Sequence, residues 1–187
     1  MVEPSKAHSI VNQISKLLQE LNLLASGDRV PGIEIPQGVV RTVKEIMKEY
    51  TFVSSKTLRS NIAYSVEAMD FYRWFLSHFK VYGPVKSYIY KITVVLTYMI
   101  VEAHVMDFLT QQGENPSKKL KKNIPKLQAL KINESLCEKI QRLHDRRANI
   151  HLKLVSDLEA NKYNATDWKN SQECVALTKK TFAEILF

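Results

Sequence analysis

The segment from Lys86 to Gln112 constrains the fold more than any other part of this 187-residue chain. Its middle is apolar on nearly every side of a helix, which is typical of a central helix that other helices cover. The β-branched run from Ile92 to Val95 also fits a strand, but the length of the segment and the absence of partner strands favour a helix. The most apolar stretch, Ile92 to Val101, is about half of the roughly 20 residues that a membrane span needs, so it predicts no membrane segment.

The remainder of the chain also predicts helices. The chain contains only five Gly and six Pro, which is too few for the tight turns of a many-stranded sheet. Apolar residues spaced three and four apart predict further helices near residues 5–25, 39–50, 55–82, 133–158 and 166–187. We therefore expect an all-α fold, an up-down bundle of four to five core helices. The bundle is predicted over residues 54–187, preceded over 1–53 by one or two accessory N-terminal helices, in what we expect to be one compact domain.

Local signals refine these predictions. Ser54 or Ser55 is expected to cap the third helix. Pro125 interrupts the basic segment 118–126, and Asn133 is expected to cap the helix that follows this segment. Thr166 with Asp167 is predicted to open the last helix, and the expected core residues there are Trp168, Val175, Phe182 and Ile185. Cys137 and Cys174 are interpreted as buried free thiols, with a disulfide left as the alternative. The N-terminus shows no secretory signal, so we expect a cytoplasmic protein.

The residues that carry chemistry lie between Arg142 and His151. Two His, three Arg, one Asp and one Asn occur in these ten residues, on a helix whose other positions are apolar. At about 100° per residue, His144 and His151 fall on nearly the same line, and Arg146 points about 140° away from His151. Charged residues on the edge of an apolar stripe are costly unless that edge faces a cleft, a partner or paired charges. The pattern therefore predicts a functional edge on this helix.

Arg146, four intervening residues and His151 match the Arg-x(4–6)-His motif, and on this motif the chain resembles the HEPN superfamily (higher eukaryotes and prokaryotes nucleotide-binding). The resemblance covers roughly residues 55 to 187: a long apolar helix with Glu102, a lysine-rich connector, the motif helix and a closing helix. Family members often place Asn directly after the Arg, where this chain has Arg147, so Asn149 would be the polar residue of the motif. Some antitoxin-regulated members carry Tyr where this chain has Lys153, which argues against an antitoxin that modifies that tyrosine.

The resemblance implies a metal-independent endoribonuclease in which the 2′-OH of RNA attacks the adjacent phosphate. His151 would be the general acid/base, since His titrates near neutrality. Arg146 would stabilise the charge on phosphorus and Asn149 would position the reacting groups. The expected RNA-binding residues are Arg142, Arg147, Lys118, Lys119, Lys121 and Lys122. The family context also implies a homodimer with a composite site, no cofactor, an antitoxin as a further partner, and a role as a toxin or in phage defence.

Several alternatives stay open at the level of sequence. The alternative function is a catalytically silent RNA- or nucleotide-binding or protein-interaction module, and the net charge of +8 does not by itself identify a partner. The lysines between 118 and 122 also fit a solvated turn, and Glu102 fits either a helix edge or a role in orienting the motif. The spacing of His144 and His151 without a third ligand argues against a metal site.

A second Arg-x(4)-His copy, Arg73 to His78, is interpreted as structural because aromatic residues surround it. These aromatics fit the core, a dimer face or a base-stacking surface: Phe71, Tyr72, Trp74, Phe75 and Phe79.

Overall fold

A computed structural model describes residues 4–24, 40–148 and 163–187, and within these ranges it contains helices and no strand. The helices are α1 (Pro4–Leu24), α2 (Val43–Lys48), α3 (Lys56–His78), α4 (Gly83–Gln111), α5 (Leu120–Ala129), α6 (Glu134–Ala148) and α7 (Ala165–Leu186). The all-α helical bundle predicted from the sequence is therefore confirmed. The chain forms two compact units, Met1–Pro36 and Gln37–Phe187.

Helix α4 is the centre of the larger unit, as its apolar composition predicts. It packs against α3, α5, α6 and α7. Among its fully buried residues are Val94, Val101 and Leu109, and the Phe108 ring stacks on Phe182 of α7 with 4.2 Å between ring centroids. Among the described helices, α4 is the one whose length and composition would allow it to cross a membrane, and most of its apolar window is covered by neighbouring helices.

The helix boundaries follow from capping side chains. The Ser55 hydroxyl accepts a hydrogen bond from the Leu58 N–H, so Ser55 is the cap of α3, whereas Ser54 donates to Asp107 of α4. Asn133 accepts from the Ser135 N–H at the start of α6. The cap of α7 is Asn164, which forms a capping box with Asp167, so the helix begins one residue before the predicted Thr166.

Other boundaries differ from the sequence predictions. Helix α2 begins at Val43, after the predicted start near residue 39, because Thr42 caps it in a capping box with Glu45. Helix α3 ends at His78, before the predicted end near residue 82. The basic segment is helical over Leu120–Ala129 despite Pro125, because Leu120, Ile124 and Leu127 are buried on one face. The predicted continuation of the motif helix from residue 149 to 158 lies outside the described residues.

Burial tests the predicted core. Phe182 and Val175 are buried and Trp168 packs against the core, but Ile185 is 49% exposed, so that core prediction is wrong. Ile185 lies in the last turn of α7, on a side that the other helices of the bundle do not cover. Cys137 and Cys174 are buried free thiols, as expected. The aromatic residues of α3 are half-buried or exposed and stack on one another, so they do not belong to the buried core.

Candidate functional site

Arg146 is anchored at the C-terminal end of α6. Its Nη2 donates to Asp167 Oδ2 over 2.6 Å, and its guanidinium carbon lies 4.5 Å from the centroid of the Tyr163 ring. The Tyr163 hydroxyl donates to the backbone carbonyl of Arg146 over 3.3 Å. The Arg146 side chain is only 28% exposed. Side-chain and main-chain contacts thus hold the predicted catalytic arginine in one orientation between α6 and α7.

Asp167 is itself fixed by the start of α7. Its Oδ2 accepts the Asn164 N–H over 3.0 Å, while Asn164 Oδ1 accepts the N–H groups of Thr166 and Asp167. A carboxylate in the first turn of a helix also interacts favourably with the helix dipole. The capping box therefore places a negative charge where it can orient Arg146.

A cavity of about 220 Å³ lies beside Arg146, between α4, α6 and α7. Lys139, Arg142 and Arg146 line it from one face of α6, since residues three, four and seven apart share a helix face. Lys139 is paired with Glu173 over 3.3 Å and Arg142 with Glu138 over 2.9 Å, both in exposed positions. Exposed pairs of this kind are worth only about 0–1 kcal/mol, so an anion can compete for these cations. The cavity is suited to a phosphate group.

A second cluster lies on the side of α6 that faces α4. The Tyr98 hydroxyl donates to Glu102 over 3.0 Å and lies 3.5 Å from His144 Nδ1. The Arg147 guanidinium lies 5.3 Å from the Tyr98 ring centroid. Burial and the neighbouring Glu102 raise the pKa of Tyr98 to about 12, so its hydroxyl stays protonated and acts as a donor. Tyr98 therefore connects Glu102 of α4 with His144 of α6.

The structure thus separates the predicted site residues into groups. Arg142 and Arg146 meet at the cavity, whereas Arg147 lies with Tyr98 on another side of α6. The four predicted RNA-binding lysines are exposed at the start of α5: Lys118, Lys119, Lys121 and Lys122. Asn149 and His151 lie outside the described residues.

Three residues of this region were missed by sequence reasoning as site residues. The sequence pattern indicates Asp167 only as part of a helix start, although its spacing of three from Asn164 is typical of a capping box. The spacing of four between Tyr98 and Glu102 was a local signal for a side-chain pair on one helix. Nothing local indicated Tyr163, because its contact with Arg146 spans 17 residues.

The second Arg-x(4)-His copy has a different environment. Arg73 donates to Asp70 over 2.7 Å, and the His78 ring stacks on Trp74 with 5.2 Å between centroids. His78 Nδ1 also lies 2.8 Å from the Trp74 carbonyl oxygen. Both residues therefore have contacts within α3 itself, and Arg73 also lines a cleft between α2, α3 and α7.

Both cysteines are buried free thiols. Burial raises the pKa of the Cys174 thiol to about 12 and also raises that of Cys137, and a protonated thiol is a poor nucleophile. Across residues 4–24, 40–148 and 163–187, no three His, Cys, Asp or Glu side chains are grouped so that they would hold a metal ion.

Comparisons with protein-family models, curated proteins and solved structures found no match to this chain. The resemblance to the HEPN superfamily therefore depends on the motif and helix order of this chain alone.

Proposed function

We propose that this protein is a metal-independent endoribonuclease of the HEPN type. The observation that carries the proposal is the fixed position of Arg146 at a basic cavity, on the helix that directly precedes Asn149 and His151 in the sequence. A cation that is held in place before the reaction stabilises developing charge without reorganisation at the moment of reaction.

In the proposed reaction, the 2′-OH of RNA attacks the adjacent phosphorus, and the P–O bond to the 5′-oxygen of the next nucleotide breaks. His151 acts as general acid/base in this transfer, and Asn149 positions the reacting groups. Arg146 stabilises the charge on the phosphate oxygens. The products are a 2′,3′-cyclic phosphate and a free 5′-OH.

The cations around the cavity supply the RNA-binding surface of this proposal. Arg142 lies on the same face of α6 as Arg146 and would bind a neighbouring phosphate, while Arg147 and the exposed lysines 118, 119, 121 and 122 would bind the strand further along. Each phosphate contact adds salt-sensitive affinity that is independent of sequence. A homodimer with a composite site, an antitoxin partner, a toxin or phage-defence role and a cytoplasmic location belong to the same proposal, through the family resemblance.

Asp167 is a positioning residue in this scheme. Because its carboxylate binds Nη2 of Arg146, it fixes the direction of the guanidinium plane. We expect Asp167→Asn to lower kcat for RNA cleavage with little change in KM, since the arginine charge remains but loses its orientation. Equal losses in an Asp167→Asn and an Arg146→Ala protein that both remain folded would contradict a role through orientation alone.

A catalytically silent binding module is the second candidate. The contacts of Arg146 with Asp167 and Tyr163 favour it, because a structural connection between α6 and α7 is sufficient to explain them. This candidate predicts RNA retention without cleavage.

Incubation of the purified protein with total RNA in EDTA separates the two candidates. We expect cleavage with 2′,3′-cyclic phosphate ends, its loss in His151→Ala, and full retention in His78→Ala, the matched change in the second Arg-x(4)-His copy. Cleavage by wild type and His151→Ala alike points to a contaminating nuclease. RNA binding without cleavage by any variant selects the silent module.

A further inference from the structure

A separate cleft lies between α2, α3 and α7, on the far side of α7 from the cavity beside Arg146. It has a volume of about 440 Å³, and a neighbouring cavity of about 460 Å³ shares its residues Arg41, Asp70 and Arg73. At about 100° per residue, three of the α7 residues that line this cleft point about 120–180° away from Asp167: Ala176, Lys179 and Ala183. The cleft is therefore independent of the proposed ribonuclease site.

A buried carboxylate organises the cations of this cleft. The Asp70 side chain is only 9% exposed, and its two oxygens accept hydrogen bonds from Arg41 Nε over 2.6 Å and Arg73 Nη2 over 2.7 Å. Glu49 holds Arg41 from the other side over 2.6 Å. Two guanidinium groups are thus fixed side by side on one carboxylate, and the Arg73 side chain stays 58% exposed towards the cleft.

The charge of the cleft and its apolar floor indicate which kind of ligand would fit it. Among the residues that line the cleft, four cations face two carboxylates, which leaves two positive charges: Arg41, Arg73, Lys179 and Lys180 against Glu49 and Asp70. Lys179 is held by Glu49 over 2.6 Å, and Lys180 also lies 3.9 Å from Glu184 in an exposed pair, which contributes little and which an anion can displace. The floor is apolar and consists of the buried residues Tyr50, Val66, Met69 and Val175. Trp74 lines the neighbouring cavity next to Arg73. A complementary ligand carries two negative charges at one end and an apolar group at the other.

We propose that this cleft binds a phosphomonoester that carries an aromatic group. A phosphomonoester is close to a dianion at neutral pH, which matches the two surplus positive charges. Planar guanidinium groups bind phosphate oxygens in pairs, so Arg41 and Arg73 hold the phosphate while Lys179 and Lys180 neutralise it. The aromatic group lies on the apolar floor of the cleft, and Trp74 lies in the neighbouring cavity next to Arg73. The volume of the cleft is within the range of small-molecule sites, about 300–1,000 Å³.

Calorimetric titration of the full-length protein with phenyl phosphate tests the proposal. Phenyl phosphate is expected to bind more tightly than inorganic phosphate or phenol, since each fragment meets only half of the cleft. Arg73→Lys keeps the charge but loses the planar donor pair, and we expect about tenfold weaker binding. Arg142→Lys, the matched change in the cavity beside Arg146, is expected to weaken binding less than Arg73→Lys does, because it affects only phosphate that binds in that cavity.

Indole N–H signals in NMR spectra give a second readout, because the chain has two tryptophans. Phenyl phosphate should shift the Trp74 signal and leave that of Trp168 in place. Tighter binding of adenosine monophosphate than of O-phosphotyrosine supports a nucleoside as the aromatic group, and the reverse order supports an aryl phosphate. Absence of binding, an unchanged affinity in Arg73→Lys, or a loss in Arg142→Lys as large as in Arg73→Lys would overturn the proposal.

Discussion

The buried histidine His104 allows a prediction of how the free energy of unfolding depends on pH. Its side chain is 1% exposed and lies between the rings of Tyr50 and Phe52, each with a centroid 5.4 Å away. Neither ring nitrogen has a hydrogen-bond partner. Burial, with a smaller contribution from the charge of Lys179, lowers the pKa of His104 from 6.5 to about 3. The folded protein therefore keeps this imidazole neutral where an unfolded chain would protonate it.

The sign and size of the effect on stability follow from linkage. In the unfolded chain His104 binds a proton as the pH falls below 6.5, whereas in the folded protein it does so only near pH 3. The contribution of neutral His104 to the free energy of unfolding is complete above pH 6.5 and is lost progressively towards pH 3. Between about pH 7.5 and about pH 5 the loss amounts to about 2 kcal/mol. For a chain of this length that corresponds to about 4–8 °C in Tm.

Urea unfolding of wild type and His104→Phe, followed by far-ultraviolet circular dichroism across this pH range, measures the effect. We expect the variant to lack this part of the pH dependence, because the other titrating groups are the same in both proteins. At about pH 7.5 the variant should also be more stable by about 1–3 kcal/mol, since two unpaired buried nitrogens are removed. His104→Leu controls for crowding by the larger ring. Parallel pH profiles for all three proteins would refute the reasoning, whatever their stabilities at neutral pH.

Three further predictions concern other contacts. Asp167→Ala should lower the free energy of unfolding by about 2 kcal/mol, because both the part-buried pair with Arg146 and the Asn164 N–H bond of the capping box are lost; a double-mutant cycle with Arg146→Ala that gives no coupling energy would contradict the pair. Phe182→Ala should cost about 3–5 kcal/mol in urea unfolding, since it removes the ring stacked on Phe108 in the centre of the core, while a loss below about 1 kcal/mol would place this side chain outside a packed core. Deletion of residues 1–36 should leave the cooperative unfolding of the remaining chain intact in calorimetry, because residues 37–187 form a compact unit with its own core; a broad or absent transition would show that the two units fold together.

Local patterns in the sequence determined the helical fold. The apolar composition of α4 required a central position, because a helix that is apolar on most sides must be covered by its neighbours. Ser55 and Asn133 begin their helices as expected, because an N-cap side chain accepts a hydrogen bond from a backbone N–H two or three residues further on. In α5 the burial of Leu120, Ile124 and Leu127 outweighs the helix-breaking tendency of Pro125, which is all that a local pattern shows.

Only the tertiary structure decided which charged residues meet. Arg146 and Asp167 are 21 residues apart, Arg41 and Asp70 are 29 apart, and Tyr98 and His144 are 46 apart. Such pairs depend on which helix faces come together, and helical periodicity within one segment carries no information about the partner segment. The sequence by itself therefore determined a helical bundle with a basic, histidine-containing motif. The packing of α2, α3, α4, α6 and α7 decided how Arg146 is held and placed a second basic cleft on the opposite side of α7.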